Sequence, residues 1–456
     1  MNHIGETMQA RKDLRIGIVG AGAGGLSVAE ALRDKGYSDI TIFEKRDRPG
    51  GQVYTYAYKT DDQRTILCEM GSVQPFAAGT GALGRLIKRY GLNFGRTITE
   101  NKIGKFKFYS AAKRSNCRDF TKSPIGFPLT LRNAFLVAAD LLKLCWYLFR
   151  YRRLGEPGYT RLSSKYLQEL SVPKDKWVDS QKFFLIGEDL KYFVGGTLTL
   201  MNTEKKNVPA ATLIKLIHYC FKSPVRYANG AYIAMREGYQ ELWSRVAAHH
   251  RVLYNSEIKQ IVRSEDKAEV EAATGVYVFD KIIVTCASFE FARFLRLSNA
   301  ENEVFSKVLY APGWRAAFIA KHLPHDAIYG FYEAFTNSAF LPALSVLVPE
   351  GQIDGETWLY GCIISVKDDG PIEPVLKSVE IFLREHFGGE VIEWVKTIYW
   401  PQYSPYFSYE HVRSGIYGAL EALQGKKSTY YAGDVASSGS NAIVSDYAFD
   451  LVERFF

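Results

Sequence analysis

Paired cysteines are missing from this sequence. Its six, Cys68, Cys117, Cys145, Cys220, Cys286 and Cys362, are scattered over 456 residues without a CxxC pair. That excludes a disulfide framework and a redox dithiol, and points to a reducing, cytoplasmic compartment. Histidine is scarce too: eight residues, adjacent His249 and His250 among them, form no metal-ligating pattern, so no metal is expected. There is no HExxH, no nucleophile elbow and no pair of carboxylates at catalytic spacing. Long apolar runs are absent as well. The first thirteen residues carry no apolar core of a secretory signal. The nearest approach to a spanning helix, Leu131 to Leu154, is interrupted by Arg132, Asp140 and Lys143 and ends in Arg150, Arg152 and Arg153. No basic stretch is accompanied by a zinc finger, an RNP-type aromatic motif or heptads, so nucleic acid is not an expected partner.

What remains is an ordinary globular composition, 47% hydrophobic and 23% charged. The length implies about three units or two interwoven domains. Aromatic residues reach 14%, enough to fill a core and line an apolar cavity. The formal charge of +8 is a modest excess that favours an anionic cofactor, an anionic substrate or a membrane surface.

Chemistry enters at the first periodic segment. Leu14 to Val19 reads as a strand, Gly25 to Lys35 as a helix and Ile40 to Glu44 as a second strand, which makes a βαβ unit. Between strand and helix stands Gly20-Ala21-Gly22-Ala23-Gly24-Gly25. Glycines there let the backbone turn sharply and approach a pyrophosphate at the helix N-terminus. Nineteen residues beyond Gly25, Glu44 can accept the hydroxyls of an adenosine ribose. Further along, Gly81 to Tyr90, Leu131 to Leu154, Pro209 to Phe221, Gly238 to Ala248 and Val375 to Phe387 read as helices. Pro209 stands at an expected first helical position. Ile258 to Val262 and Lys281 to Cys286 read as strands returning to the first domain. Trp314 to Val366 alternates like a half-buried sheet, Ser428 to Asp434 reads as a strand, and a helix follows from Asn441. The helix from Leu131 is either a packed cap with a solvated basic end or a lid that rests on lipid, a peripheral membrane contact.

The run Glu44-Lys45-Arg46-Asp47-Arg48-Pro49-Gly50-Gly51-Gln52 resembles the segment after the second strand in FAD proteins of the amine oxidase superfamily. Arg236 to Leu242 with Ile258 resembles that superfamily's middle FAD contact, and Tyr430-Tyr431-Ala432-Gly433-Asp434 with Asn441-Ala442-Ile443 its closing motif. Asn207 to Ala211, Gln424 to Asp434 and Asp450 to Phe456 are similar to the polyenoic fatty acid isomerases. The resemblance implies an α/β chain in which a Rossmann-like FAD-binding domain is interwoven with an α+β substrate domain. Residues 14–95, 233–300 and 426–456 would form the FAD part, and 96–232 and 301–425 mainly the substrate part. It also implies FAD contacts at Gly20, Gly22, Ala23, Gly24, Gly25, Glu44, Lys45, Gly50, Gly51, Gln52, Gly71, Ser72, Val73, Ile258, Gly433, Asp434, Asn441, Ala442 and Ile443. Gln74, Arg96 and Tyr227 are the substrate-side candidates.

Two departures bear on function. Gln52 stands where amine oxidases commonly place Arg or Lys, and Pro312-Gly313-Trp314-Arg315-Ala316 lacks the lysine that helps oxygen react in many of them. Oxidised flavin is an electron sink that needs few ionisable side chains, in keeping with the sparse acid/base motifs. The expectation is therefore an enzyme that abstracts hydride from a long, apolar, unsaturated substrate, a polyunsaturated fatty acid double-bond isomerase. The alternative is an oxidase or desaturase acting on an amine or a secondary metabolite.

Overall fold

A computed structural model describes residues 12–72, 80–96, 106–119, 128, 130–191, 207–222, 233–336, 341–367 and 369–456. The glycine loop opens a parallel sheet of five strands, ordered Thr429–Tyr431, Lys281–Val284, Ile16–Val19, Ile40–Phe43 and Arg251–Leu253. The strands at its centre are buried at every position, as expected where helices cover both faces of a parallel sheet. The helix Ala23–Asp34 is buried from Ala23 to Leu32 and packs on the helix Asn441–Phe455, where the Ser27 hydroxyl donates to Ser445 Oγ at 2.9 Å. Glu30, also fully buried, receives Arg89, Tyr90, Arg33 and His250 at 2.7 to 2.9 Å. Burial alone would raise this carboxyl, but those bonds hold it below its ordinary value. His250 is thus a structural residue.

The second sheet has seven strands, ordered Glu390–Trp400, Gly313–Lys321, Thr357–Ser365, Ala343–Asp354, Ile328–Phe331, Phe106–Ser110 and Ser115–Asp119. One face packs under the helix Ile372–Phe387, through Val375, Val379 and Leu383 against Phe318 and Tyr360. The other face meets the hairpin Thr55–Lys59 and Thr65–Glu69, where Ile66, Cys68 and Met70 touch Ala317, Ile319 and Leu359.

Two expectations are corrected and one gains detail. Ile258–Arg263 packs into the core that holds the parallel sheet but lies outside the sheet itself; it opens an antiparallel three-stranded sheet with Ala268–Ala272 and Gly275–Phe279. Arg251–Leu253 takes the outer place beside Ile40–Phe43 instead. Thr357–Ser365 does not alternate: all nine residues are buried, because strands flank it and side chains cover both faces. Pro209 is the cap before the helix Ala210–Phe221, with extended backbone, so its fixed φ ends the preceding segment.

The helix beginning at Leu131 runs to Arg150, capped by Thr130, whose hydroxyl accepts from Asn133 N. Asp140, an interruption in the sequence, is an anchor in the fold: its carboxylate accepts the amides of Phe184, Leu185 and Ile186 at 2.7 to 3.1 Å. Lys143 donates to the carbonyls of Gln181 and Lys182. Val137, Leu144 and Leu148 face inward, while Leu131, Phe135, Leu142, Trp146 and Phe149 are exposed. Among the described residues no helix is long and apolar enough to cross a membrane.

Candidate active site

A cavity of about 350 Å³ opens at the carboxyl ends of the parallel strands. Such crevices are the ligand sites of open α/β sheets. The helix Ala23–Asp34 starts at its wall with no side chain capping its first amides and no acid in its first turn. The helix Asn441–Phe455 starts there too, equally uncapped, and Ser440 Oγ beside it is buried without a partner among the described residues. Two uncapped N-termini give the cavity converging amide donors and positive helix-dipole ends, suited to an anion or to a ring that becomes anionic on reduction. Their approach depends on close backbone packing. A Cβ on Gly25 would lie 2.0 Å from the carbonyl oxygen of Gly20, so only glycine lets the helix sit against the loop.

Glu44 follows the second strand and is 6% exposed. Its Oε2 accepts from Ala21 N at 2.9 Å and its Oε1 from Arg46 N at 3.0 Å, which fixes the carboxylate at the cavity edge. Beyond it Gly50 N donates to the carbonyl of Ala21, and Gly50 and Gly51 hold φ of +98° and +59°, left-handed backbone that carries the chain beside Gly22. Two arginines clamp this turn. Arg46 donates to the Gly51 carbonyl and lies over the Trp400 ring; Arg48 donates to the carbonyls of Pro49, Gly51 and Val53 and lies over Tyr54. The sequence reading gave these arginines no role, although they stand inside the run it singled out.

Of the predicted cofactor residues, Gly20, Gly22, Ala23, Gly24, Glu44, Lys45, Gly50, Gly51, Gln52, Ser72, Ile258, Gly433, Asp434 and Asn441 line the cavity together. Gly25, Gly71, Ala442 and Ile443 lie just behind it. Gly71 passes so close to Gln52 that a Cβ would meet that carbonyl oxygen at 1.9 Å, and Ala442 and Ile443 are buried in the C-terminal helix. Asn441 Nδ2 donates to Ser72 Oγ at 2.9 Å, tying that helix to the segment after the hairpin. Lys45 pairs with Glu290 at the rim, and Gln52 donates to the Gln402 carbonyl. Burial pushes the Asp434 carboxyl up to about 6. Val73, Gln74 and Tyr227 lie outside the described residues; Arg96 ends the strand Phe94–Arg96, and only its backbone is described.

Other wall residues gave no distinct sequence signal. Tyr403 lines the cavity and donates to the Gly71 carbonyl at 3.2 Å, while Trp400 Nε1 donates to the Met70 carbonyl at 2.8 Å. Crowded aromatics near residue 400 are the only sequence trace of them. Tyr406 and Phe407, from the same crowd, belong to the core. Behind this wall stand two buried acids. Glu69 accepts from Tyr239 N and from the Thr55 hydroxyl, yet burial raises it to about 7. Burial and the neighbouring Glu69 raise Glu350 to about 8.

The crevice, the two open helix N-termini, the fixed Glu44 carboxylate and the glycine approaches fit an extended dinucleotide. The family described as flavin containing amine oxidoreductase matches residues 23–294, more than half of the chain. The FAD-dependent oxidoreductase oblC of Cochliobolus heterostrophus is 23% identical, over 91% of this chain and 85% of its own length. Among solved structures, the CLA-producing fatty acid isomerase from P. acnes shares the fold with a TM-score of 0.81, at 22% identity, over 98% of this chain and 99% of that one. Cyclohexylamine oxidase from Brevibacterium oxydans shares it with a TM-score of 0.64, at 14% identity, over 97% and 99%.

Proposed function

Because the chain belongs to the flavin-containing amine oxidoreductase family, and is thereby a flavin-dependent enzyme with FAD as its cofactor, we propose that it takes a hydride from a long, apolar, unsaturated substrate and returns it at another carbon. The reaction is then double-bond isomerisation of a polyunsaturated fatty acid, with no net change in oxidation state. A bound FAD supplies the hydride-accepting ring. The residues of this chain supply the rest. Glu44 would hold the adenosine ribose, the amides after Gly22 the diphosphate, and the N-terminus at Asn441 the pyrimidine edge of the flavin. In this reading residues 14–95, 233–300 and 426–456 carry the cofactor, and 96–232 and 301–425 the substrate.

One observation carries the choice of substrate. The hairpin and the second sheet enclose an apolar cluster of Ala317, Ile319, Leu359 and Ile398 around Ile66 and Met70, and the strand Gly313–Lys321, which also carries the buried Arg315, has no lysine between Trp314 and Ala320. Apolar surroundings without an oxygen-activating amine suit a hydrocarbon chain better than an amine. The fold shared with a fatty acid isomerase supports the same reading. Its source fits as well: the exposed face of Leu131–Arg150, flanked by exposed Arg132 and Arg152, is suited to peripheral contact with a lipid surface in a cytoplasmic setting.

Anaerobic incubation of the holoenzyme with linoleate should produce conjugated-diene absorbance without lasting bleaching of the flavin. Bleaching with stoichiometric product would identify a dehydrogenase instead. The second reading, an oxidase or desaturase of an amine or secondary metabolite, is favoured by the aromatic Tyr403 in the cavity wall, with Trp400 on the segment leading to it. It predicts peroxide release on turnover in air.

A further inference from the structure

The helix Leu131–Arg150 leaves a broad apolar face uncovered. Leu131, Phe135, Leu142, Trp146 and Phe149, with Phe184 beside them, are 53% to 91% exposed. At about 100° per residue the five helix positions fall within about 60° of one another, which makes them a single stripe. Scattered exposed apolar side chains are ordinary, but a contiguous stripe marks a surface that something covers. The stripe is rigidly mounted. Asp140, on the buried side of the helix, takes the amides of Phe184, Leu185 and Ile186, which sets the Phe184 ring beside Lys143.

A hydrocarbon face alone would suit a second copy of this chain as well as a bilayer. The charges decide between them. Asp140 is the only acid of the helix and is fully buried, so the exposed face of the helix carries no negative charge. Arg132, Lys143 and Arg150 fall together along one edge of the stripe. Cations also lie over the exposed rings, Arg152 on Phe149, Arg150 on Trp146 and Lys143 on Phe184, at 5.2 to 5.4 Å. Glu169 neutralises Arg150. Arg132, Lys143, Arg152 and Lys182 meet no acid among the described residues; Lys143 and Arg152 donate only to carbonyls. Two copies joined through this face would set like charges against each other, whereas phosphate head groups would pair with them. Aromatic rings with cations at their own level, next to an aliphatic stripe, match the boundary between head groups and acyl chains.

We propose that this face docks the protein on bilayers that carry anionic phospholipid, and that it discriminates against neutral ones. The stripe enters the interface and the basic edge lies on the phosphates. None of these residues lines the cofactor cavity, so the docking holds whichever substrate the cavity takes.

The test is flotation of the flavin-loaded protein with vesicles of phosphatidylcholine, alone or mixed in equal parts with phosphatidylglycerol, with bound protein measured by its flavin. Wild type should float with the anionic vesicles and be released by salt. Arg132→Gln combined with Arg152→Gln should weaken binding by about 30-fold, about fivefold for each cation. Leu142→Gln combined with Phe149→Gln should weaken it by about 100-fold or more. These sites are exposed, so flavin content should not change. Brominated phosphatidylcholine in the anionic vesicles should quench tryptophan fluorescence, and Trp146→Phe should remove that quenching. Any of the following would overturn the proposal: equal flotation with neutral vesicles, flotation with neither, unchanged binding in the double variants, or quenching that survives Trp146→Phe. A wild-type dimer that Leu142→Gln with Phe149→Gln dissolves would also overturn it, by making the face an interface between copies. Linoleate offered in solution needs no bilayer, so failure here and failure of the isomerase reading are separate results.

Discussion

The cradle of the cavity and the sheet behind its other side are built on opposite principles. The cradle, from Gly20 to Gly51 and again at Gly433, takes its polarity mainly from the backbone; its buried Glu44 carboxylate is satisfied by two amides. The region behind the Tyr403 side, from the hairpin to the seven-stranded sheet, holds buried polar side chains with few partners: Arg315, Glu69 and Glu350. Backbone polarity suits a cofactor that is always the same. Buried polar groups with few partners are costly until something pairs with them.

Four substitutions sharpen or break this contrast. The largest effect is expected from Gly25→Ala, whose methyl group would overlap the Gly20 carbonyl; the protein should purify nearly free of flavin, as visible absorbance would show. Next is Glu44→Ala, which removes two hydrogen bonds to a charged group; reconstitution of the apoprotein should show FAD binding weakened by about 10- to 100-fold. A variant of the sheet behind should behave differently. Glu350 is raised in the fold from 4.5 to about 8, so the native state holds a proton that the unfolded chain has released. Its stabilising contribution is complete below about pH 4.5 and is lost as pH rises through about 8. Glu350→Gln should therefore match wild type in denaturant midpoint near pH 5 and exceed it near pH 8, with flavin content unchanged. Loss of flavin in that variant would break the division between the two regions. The smallest effect is expected for Ser27→Ala at the helix contact, about 1 kcal/mol of stability by chemical denaturation.

The contrast also explains what the sequence makes legible. Glycines, a terminal acid and a strand–helix–strand period lie within about thirty residues, so the cradle can be read locally. The clamp of Arg46 and Arg48 is hidden because surface arginines look the same in one dimension. The second region depends on register between strands far apart in the chain. Nothing local tells Arg315 from a solvated arginine until Ile363 and Ile398 are set beside it. Arg251–Leu253 is too short to show a period, and Thr357–Ser365 is covered on both faces, which removes the alternation that marks a strand.

The parallel sheet has a consequence for how the molecule comes into being. Its central strand, Ile16–Val19, gains its neighbour Lys281–Val284 only after more than 260 further residues have been made, and Thr429–Tyr431 must follow before the cavity has a floor. During synthesis the glycine loop is thus exposed for most of the translation time, with its helix lacking the partner that arrives at Asn441. Such long-range closure is slow and leaves apolar edges open to other chains. FAD can engage its complete site only late, so its supply during expression should govern how much of the protein escapes aggregation.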